Sequence, residues 1–465
     1  MSGLADGHAI LSGLLATAGL PPGAAALARL TGDEPALPSS FRVGVAAQAA
    51  IAAAGLGAAL LWQHRTGRRQ PVTVEMRATA AEFRSERHFH CLDAPIPDPW
   101  DAIAGLYRCG DGGWVRLHTN FPHHRDGVLR LLGCGPTRAE VAEALAGRRA
   151  GAFEDEASAA GLCVAMLRDV ATWDAHPHGR HLAAAPPLTL TRLGDAPPRH
   201  FPPAPARPLA GLRVLDLTRV IAGPVGGRTL AAHGAEVLHI TAPHLPAIPL
   251  LVMDGGRGKL SASLDLRGEA DRARLRALVR DSDVFLQSYR QGALAGQGFS
   301  PEALAALRPG IVVATLSAYG ETGPWGGRRG YDSLVQTATG FNAAEAEAAG
   351  AGAPKPLPCQ ALDHASGYFL ALGVMAALLR QAHEGGSWLV RVSLAGTGLW
   401  LRRLGRLPQG LAAPDPGDDV ADLLEETDSG FGRIRALRHA AILPETPAHW
   451  ARPTVPLGTH KPAWP

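Results

Sequence analysis

The chain carries one pattern twice. Ala58, Ala59, Leu60, Leu61, Gln63, Gly67, Val72 and Val74 recur at Ala376, Ala377, Leu378, Leu379, Gln381, Gly385, Val390 and Val392, each 318 residues later. Each copy reads as a long apolar helix closed by a glycine and followed by a strand with period-two alternation. Carried back to the helix starts, the register sets Asp363 opposite Val45. The two copies share a scaffold, and only the later one keeps a carboxylate where its helix begins.

With 465 residues, 46% of them hydrophobic, the chain has material for two to four cored domains. A net charge of +3 with dispersed Arg residues lacks the concentrated basic surface of a nucleic-acid binder. The cysteines, Cys91, Cys109, Cys134, Cys163 and Cys359, are odd in number and form no CxxC pair. That excludes a disulfide framework and a structural zinc site, and it points to a reducing, cytoplasmic setting. The first thirty residues lack the basic region and continuous apolar run of a secretory signal. Val43 to Trp62 holds no charged residue, yet it is mostly Ala and Gly, so it is expected to be a buried helix rather than a membrane span.

From residue 209 onward, apolar strands alternate with helices. Val214–Leu217, Glu236–Ile240, Asp283–Leu286 and Ile311–Ala314 read as strands, with helices near 222–233, 268–280 and 301–307. Such alternation predicts an α/β fold, a parallel Rossmann-like sheet covered by helices, with its ligand crevice at the carboxyl ends of the strands. Residues 100–190 predict a smaller α+β region: a strand at Trp114–Leu117 and helices near 138–149 and 151–160. The expected organisation is an N-terminal unit (1–80), a small domain (81–195), a Pro-rich linker (196–208), a large domain (209–405) and a C-terminal extension (406–465).

Several common sites are missing. No GxGxxG follows the first strand of the large sheet, which argues against a dinucleotide. Gly255-Gly256-Arg257-Gly258-Lys259 resembles a phosphate loop but has Met253 and Leu260 where Gly and Ser/Thr are needed. The clusters His88/His90/Cys91 and His118/His123/His124 have no completing ligand at a recognised spacing, so no metal is expected. There is no GxSxG elbow.

A series of short segments remains, in fixed order: Pro208–Leu217, Ala222-Gly223-Pro224, Gly234–Val237, Gly258-Lys259, Leu264-Asp265-Leu266, Ser317–Gly320, Gly330-Tyr331-Asp332, Gln336 and Asp363-His364-Ala365-Ser366-Gly367. Here the chain resembles the class III (CaiB/BaiF-type) CoA-transferases, the family of formyl-CoA transferase, carnitine CoA-transferase and α-methylacyl-CoA racemase. Residues 41–76 and 100–190 resemble later parts of the same family, so the chain reads as a circularly permuted member whose junction occurs twice.

The resemblance implies an enzyme in which Asp363 attacks an acyl-CoA carbonyl, and a helix start is a place where free N–H groups favour a carboxylate. An Asp there also serves as a simple cap. The resemblance further implies CoA contacts at Val220, Ile221 and Ala222, at Lys259 for phosphate, and at Ser288, Tyr289 and Arg290. CoA thioesters and carboxylic acids are the implied substrates, with no tightly bound cofactor, no nucleic-acid or membrane partner, and a homodimer. Departures from the family pattern are Thr241-Ala242-Pro243 after the second strand, Leu260 and Gln291. An acyl-CoA racemase, using Tyr331 or His364 opposite Asp363, and a non-catalytic acyl-CoA binder remain as alternatives.

Overall fold

The apolar runs of the second half assemble into one seven-stranded sheet. The computed structural model describes residues 6–202, 205–417 and 419–465. Three elements of the first half matter for the site: helix α1 (Val43–Thr66), strand β1 (Val72–Glu75) and helix α2 (Met76–Glu82). The large sheet contains β2 (Leu188–Gly194), β3 (Arg213–Leu217), β4 (Glu236–Thr241), β5 (Lys259–Ser263), β6 (Val284–Gln287), β7 (Val312–Ser317) and β8 (Ser387–Ser393). Its covering helices include α3 (Ala222–Ala232), α4 (Pro249–Gly255), α5 (Asp332–Ala338), α6 (Ala361–Glu384) and α7 (Leu394–Arg403).

The strand order is β5-β4-β3-β6-β7-β8-β2. All neighbours are parallel except β2, which runs antiparallel to β8. Counting from β3, this is the doubly wound order 3-2-1-4-5-6, whose direction of winding reverses between β3 and β6. Val214, Leu215, Leu217, Val284, Phe285 and Leu286 are fully buried because helices cover both faces.

The repeat is as exact in three dimensions as in sequence. Helices α1 and α6 are both 24 residues long and begin 318 residues apart. Their preceding residues adopt the same backbone, φ −80°, ψ 57° at Arg42 and φ −78°, ψ 61° at Gln360. Strand β1 has a parallel neighbour (Ala28–Thr31) on one side and an antiparallel one (Ala441–Ile442) on the other, as β8 has β7 and β2. The two long helices pack against each other within one chain. A Cβ on Gly57 would lie 3.1 Å from the Met375 terminal methyl, so the smallest side chain sets this approach. Both helices are long and apolar enough to cross a membrane, but each is buried in the fold.

Two of the expected boundaries do not separate structural units. Strand β2, assigned by sequence to the small domain, completes the large sheet by covering the edge of β8. The expected C-terminal extension is also integrated. Leu424–Ser429 and Gly432–Leu437 form a sheet with His90–Cys91, and Ala441–Ile442 pairs with β1. Strand β5 was missed because its Leu260 and Ala262 alternate with polar Lys259 and Ser261, which burial alone would not suggest.

Candidate active site

The loop leaving β3 and the loop leaving β6 face each other at the point where the sheet's winding reverses. The Arg219 amide donates to Ser288 Oγ across this gap at 3.2 Å. Val220, in the first loop, has φ 73°, a left-handed conformation that a β-branched side chain adopts only under strain. Helix α3 starts at Ala222 and lies against α6 so closely that a Cβ on Gly367 would sit 2.6 Å from the Ala222 carbonyl oxygen. The starts of both helices therefore converge on one point, where Asp363 occupies the first turn of α6.

The immediate partner of that turn is Asp332 on α5. Its Oδ2 accepts from the amides of Leu362 (2.8 Å) and Asp363 (2.9 Å), while its Oδ1 accepts from Gln336 Nε2. The Gln336 Oε1 in turn accepts from the Leu357 amide at 2.9 Å. These contacts correct one expectation. Asp363 is not the cap of its helix, and the amides expected to hold it ionised are engaged by Asp332. Burial, then the charges of Asp332 and Glu86, push the Asp363 carboxyl well above the ordinary carboxylate range. Burial likewise raises Asp332 to about 6, against the hydrogen bonds it accepts.

The vestigial copy keeps the cap and lacks the acid. Glu34 Oε1 accepts from the Val45 amide at 3.0 Å, as Asp332 does from Asp363, and Arg42 pairs with Glu34 at 2.7 Å.

Glu86, Tyr331 and His118 complete the surroundings. Burial would raise Glu86, but the His364 hydrogen bond and charge more than offset it and leave Glu86 lowered. His364 Nε2 lies 3.0 Å from Glu86 Oε2 and its ring stacks on Phe83, so the imidazole is buried in packing rather than presented to a cavity. Tyr331 stacks on His118 with ring centres 3.7 Å apart. Burial raises the Tyr331 hydroxyl far above its usual value and drives His118 down to about 3, leaving both neutral.

Asp363 is 7% exposed and borders two adjoining cavities, each about 1520 Å³. Val220, Ile221 and Tyr331 line both. One cavity is cationic: Ala222, Ser288, Tyr289 and Arg290 line it with Arg219 and Arg329. The structure thus brings six of the seven expected CoA-contact residues to one place beside Asp363.

Lys259 is the exception: it lines a small adjoining pocket that shares Phe121, Arg219 and Val220 with the cationic cavity. Its Nζ is buried 2.7 Å from Asp216 Oδ2 and 3.0 Å from the Pro224 carbonyl oxygen. Its charge is matched inside the protein by this ion pair. Sequence reasoning gave no role to Asp332, Glu86, Arg219 or Arg329. For Asp332 there was a signal: it lies one turn before Gln336 on a helix opened by Gly330-Tyr331, and such i, i+4 partners share a helix face.

A doubly wound sheet with a buried carboxylate at its switch point places this α/β protein's candidate site where such sheets take ligands. The profile of CoA-transferase family III matches residues 22–189 and 209–416, and the chain belongs to that family. The first matched segment holds the helix-strand unit with Val45, and the second holds the unit with Asp363.

Among relatives, an acetyl-coenzyme A transferase of Hypoxylon pulicicidum is 36% identical over 43% of this chain and 35% of its own length. A probable fatty acyl-CoA transferase of Mycobacterium tuberculosis is 35% identical over 41% of this chain and 51% of its own. Its crystal structure superposes with a TM-score of 0.39 at 34% identity, covering 43% of this chain and 59% of that one. An acetyl-CoA:oxalate CoA-transferase of Acetobacter aceti is 32% identical over 42% of this chain and 52% of its own length. The chain thus spans about a third to a half of the length of these curated relatives.

Proposed function

We propose that the chain transfers CoA between an acyl thioester and a carboxylic acid, with Asp363 as the nucleophile. The carboxylate attacks the thioester carbonyl, forming an anhydride and releasing CoA thiolate. The thiolate attacks the aspartyl carbonyl of that anhydride, releasing the first acid and leaving an aspartyl-CoA thioester. The acceptor carboxylate then attacks this thioester, and the returning thiolate attacks the acceptor's acyl carbon, which regenerates Asp363. Each step exchanges one nucleophile for one leaving group and needs no external oxidant or metal.

The observation that carries the reading is Asp363's place at the junction of a cationic cavity and a second cavity. Arg219, Arg290 and Arg329 suit the phosphates of CoA. A desolvated carboxylate is a stronger nucleophile than a hydrated one, and the cost of ionising it here is visible in its raised pKa. Racemisation has less support, since it needs a second acid/base group facing Asp363. Tyr331 is held neutral and His364 is committed to Glu86. The five free thiols support a reducing, cytoplasmic setting.

Exchange of labelled CoA into an acyl-CoA pool, run in deuterium oxide, tests the assignment. Label exchange without α-deuteration supports a transferase. Deuteration at the α-carbon without CoA exchange would favour the racemase.

A further inference from the structure

The second cavity differs in character from the cationic one, and the difference bears on which acyl group the site takes. One wall is the segment 95–100, where Pro95, Pro97 and Pro99 alternate and Trp100 follows. Alternating prolines stiffen such a strap in an extended form, so little order is lost when something packs on it. The Trp100 amide donates to Asp98 Oδ1 at 2.9 Å, which fixes the turn that presents the indole. Ile248, Leu250 and Leu251, around the start of α4, and Phe89 add an apolar lining. Ile96 packs against the Phe89 and Leu250 cluster and ties the strap to that lining. Trp100 is nevertheless 46% exposed, one of the few large apolar side chains so exposed among the described residues.

Charge separates the two cavities further. The cationic cavity holds Arg219, Arg290, Arg328 and Arg329 against Asp363 alone. Burial pushes the Asp332 and Asp363 carboxyls of the strap cavity upward, which leaves Glu86 and Asp98 against the single, exposed Arg87. A second carboxylate on the acyl group would enter a field of like charge within an apolar wall. An alkyl chain meets no such penalty, and it would cover the apolar side chains the strap leaves in water.

We infer that the strap cavity receives an apolar monocarboxylic acyl chain of medium length, and that Trp100 and Ile96 set the preference for it over short acyl groups and dicarboxylates. This rests on the CoA-transferase reading, since it is the thioester at Asp363 that places the acyl chain there. Each methylene taken out of water strengthens binding roughly fourfold at full burial. With one wall open to solvent, octanoyl-CoA is expected to bind about ten- to a hundredfold tighter than butanoyl-CoA. Suberoyl-CoA, of equal length with a terminal carboxylate, is expected to lose most of that gain.

The test is titration calorimetry of the full chain with CoA, butanoyl-CoA, octanoyl-CoA and suberoyl-CoA, repeated on Trp100→Ala. Support is a clear octanoyl preference that falls about tenfold in Trp100→Ala while CoA affinity stays unchanged, the latter showing that the variant is folded. If CoA binds but butanoyl, octanoyl and suberoyl thioesters bind alike, the acyl assignment is overturned and the transferase reading stands. An octanoyl preference that survives Trp100→Ala overturns the role of the strap. If CoA and all three thioesters fail to bind, the transferase reading falls and the acyl assignment falls with it.

Discussion

Replacing Lys259 with Met separates a structural ion pair from a phosphate ligand. The Lys259 and Asp216 side chains are 3% and 0% exposed, with Nζ and Oδ2 2.7 Å apart. Burial alone would raise the Asp216 carboxyl, but the Lys259 ammonium, with His239 nearby, more than offsets this and leaves it lowered. Removing the ammonium strands a carboxylate in the interior, which costs about 3–5 kcal/mol. Also lost is the donor to the Pro224 carbonyl, which lies in the first turn of α3. Adding Asp216→Asn removes the stranded charge while its amide oxygen keeps an acceptor for the Thr218 amide, now at 3.0 Å. The double variant is therefore expected to recover at least half of the loss. Urea denaturation measures both variants, and calorimetry measures CoA affinity under native conditions. Undiminished stability in Lys259→Met, together with a tenfold or greater loss of CoA affinity, would refute the argument and return Lys259 to the ligand.

Other consequences follow from the same geometry. Gly367→Ala drives a methyl group to 2.6 Å from the Ala222 carbonyl oxygen, so it should cost about 1–3 kcal/mol in denaturation and also displace the Val220–Ala222 loop, weakening CoA binding. At Val220 the left-handed backbone predicts that Val220→Gly is more stable than Val220→Ala by about 1 kcal/mol; the opposite order would show that the loop is unstrained. Asp332 and Asp363 bind protons more tightly in the folded state than in the unfolded chain. The stability this gives is complete below their ordinary values near 3.8, and is lost as pH rises through about 6 for Asp332 and through the raised value of Asp363. The rate of acylation should run the opposite way, rising with pH, and Asp332→Asn should move its midpoint to lower pH by removing the neighbouring charge. A rate that is flat from pH 5 to 8 would contradict this.

Much of the fold was legible in the sequence because its signals are local. The runs at 214–217, 236–240 and 283–286 put apolar residues on both faces, as a covered parallel strand requires, and they appear within a residue or two of the expected places. The family resemblance, not the strands themselves, paired Val220 with Ser288, and both line the cavity beside Asp363. What escaped was non-local. Strand β2 is half-buried and alternating, so nothing in it says that its partner lies some 200 residues away. Likewise Ala441–Ile442 is too short to carry a strand signal of its own. Glu86 approaches Asp363 only because the first half of the chain folds over the second. Lys259 was expected at the CoA phosphate because sequence shows a charge but not the buried Asp216 that pairs with it.

The 318-residue repeat gains meaning from the caps. Glu34 and Asp332 do the same work for the two long helices, which leaves Val45 against Asp363 and Ala46 against His364 as chemical differences at that turn. One reactive carboxylate per chain is the expectation.

Intact-mass spectrometry of the full chain after incubation with octanoyl-CoA, quenched with hydroxylamine, tests this central claim most directly. The account predicts a single hydroxamate, mapped by peptide analysis to Asp363 and absent from Asp363→Asn. No adduct in the wild-type chain at saturating thioester, or an adduct that persists in Asp363→Asn, would contradict it.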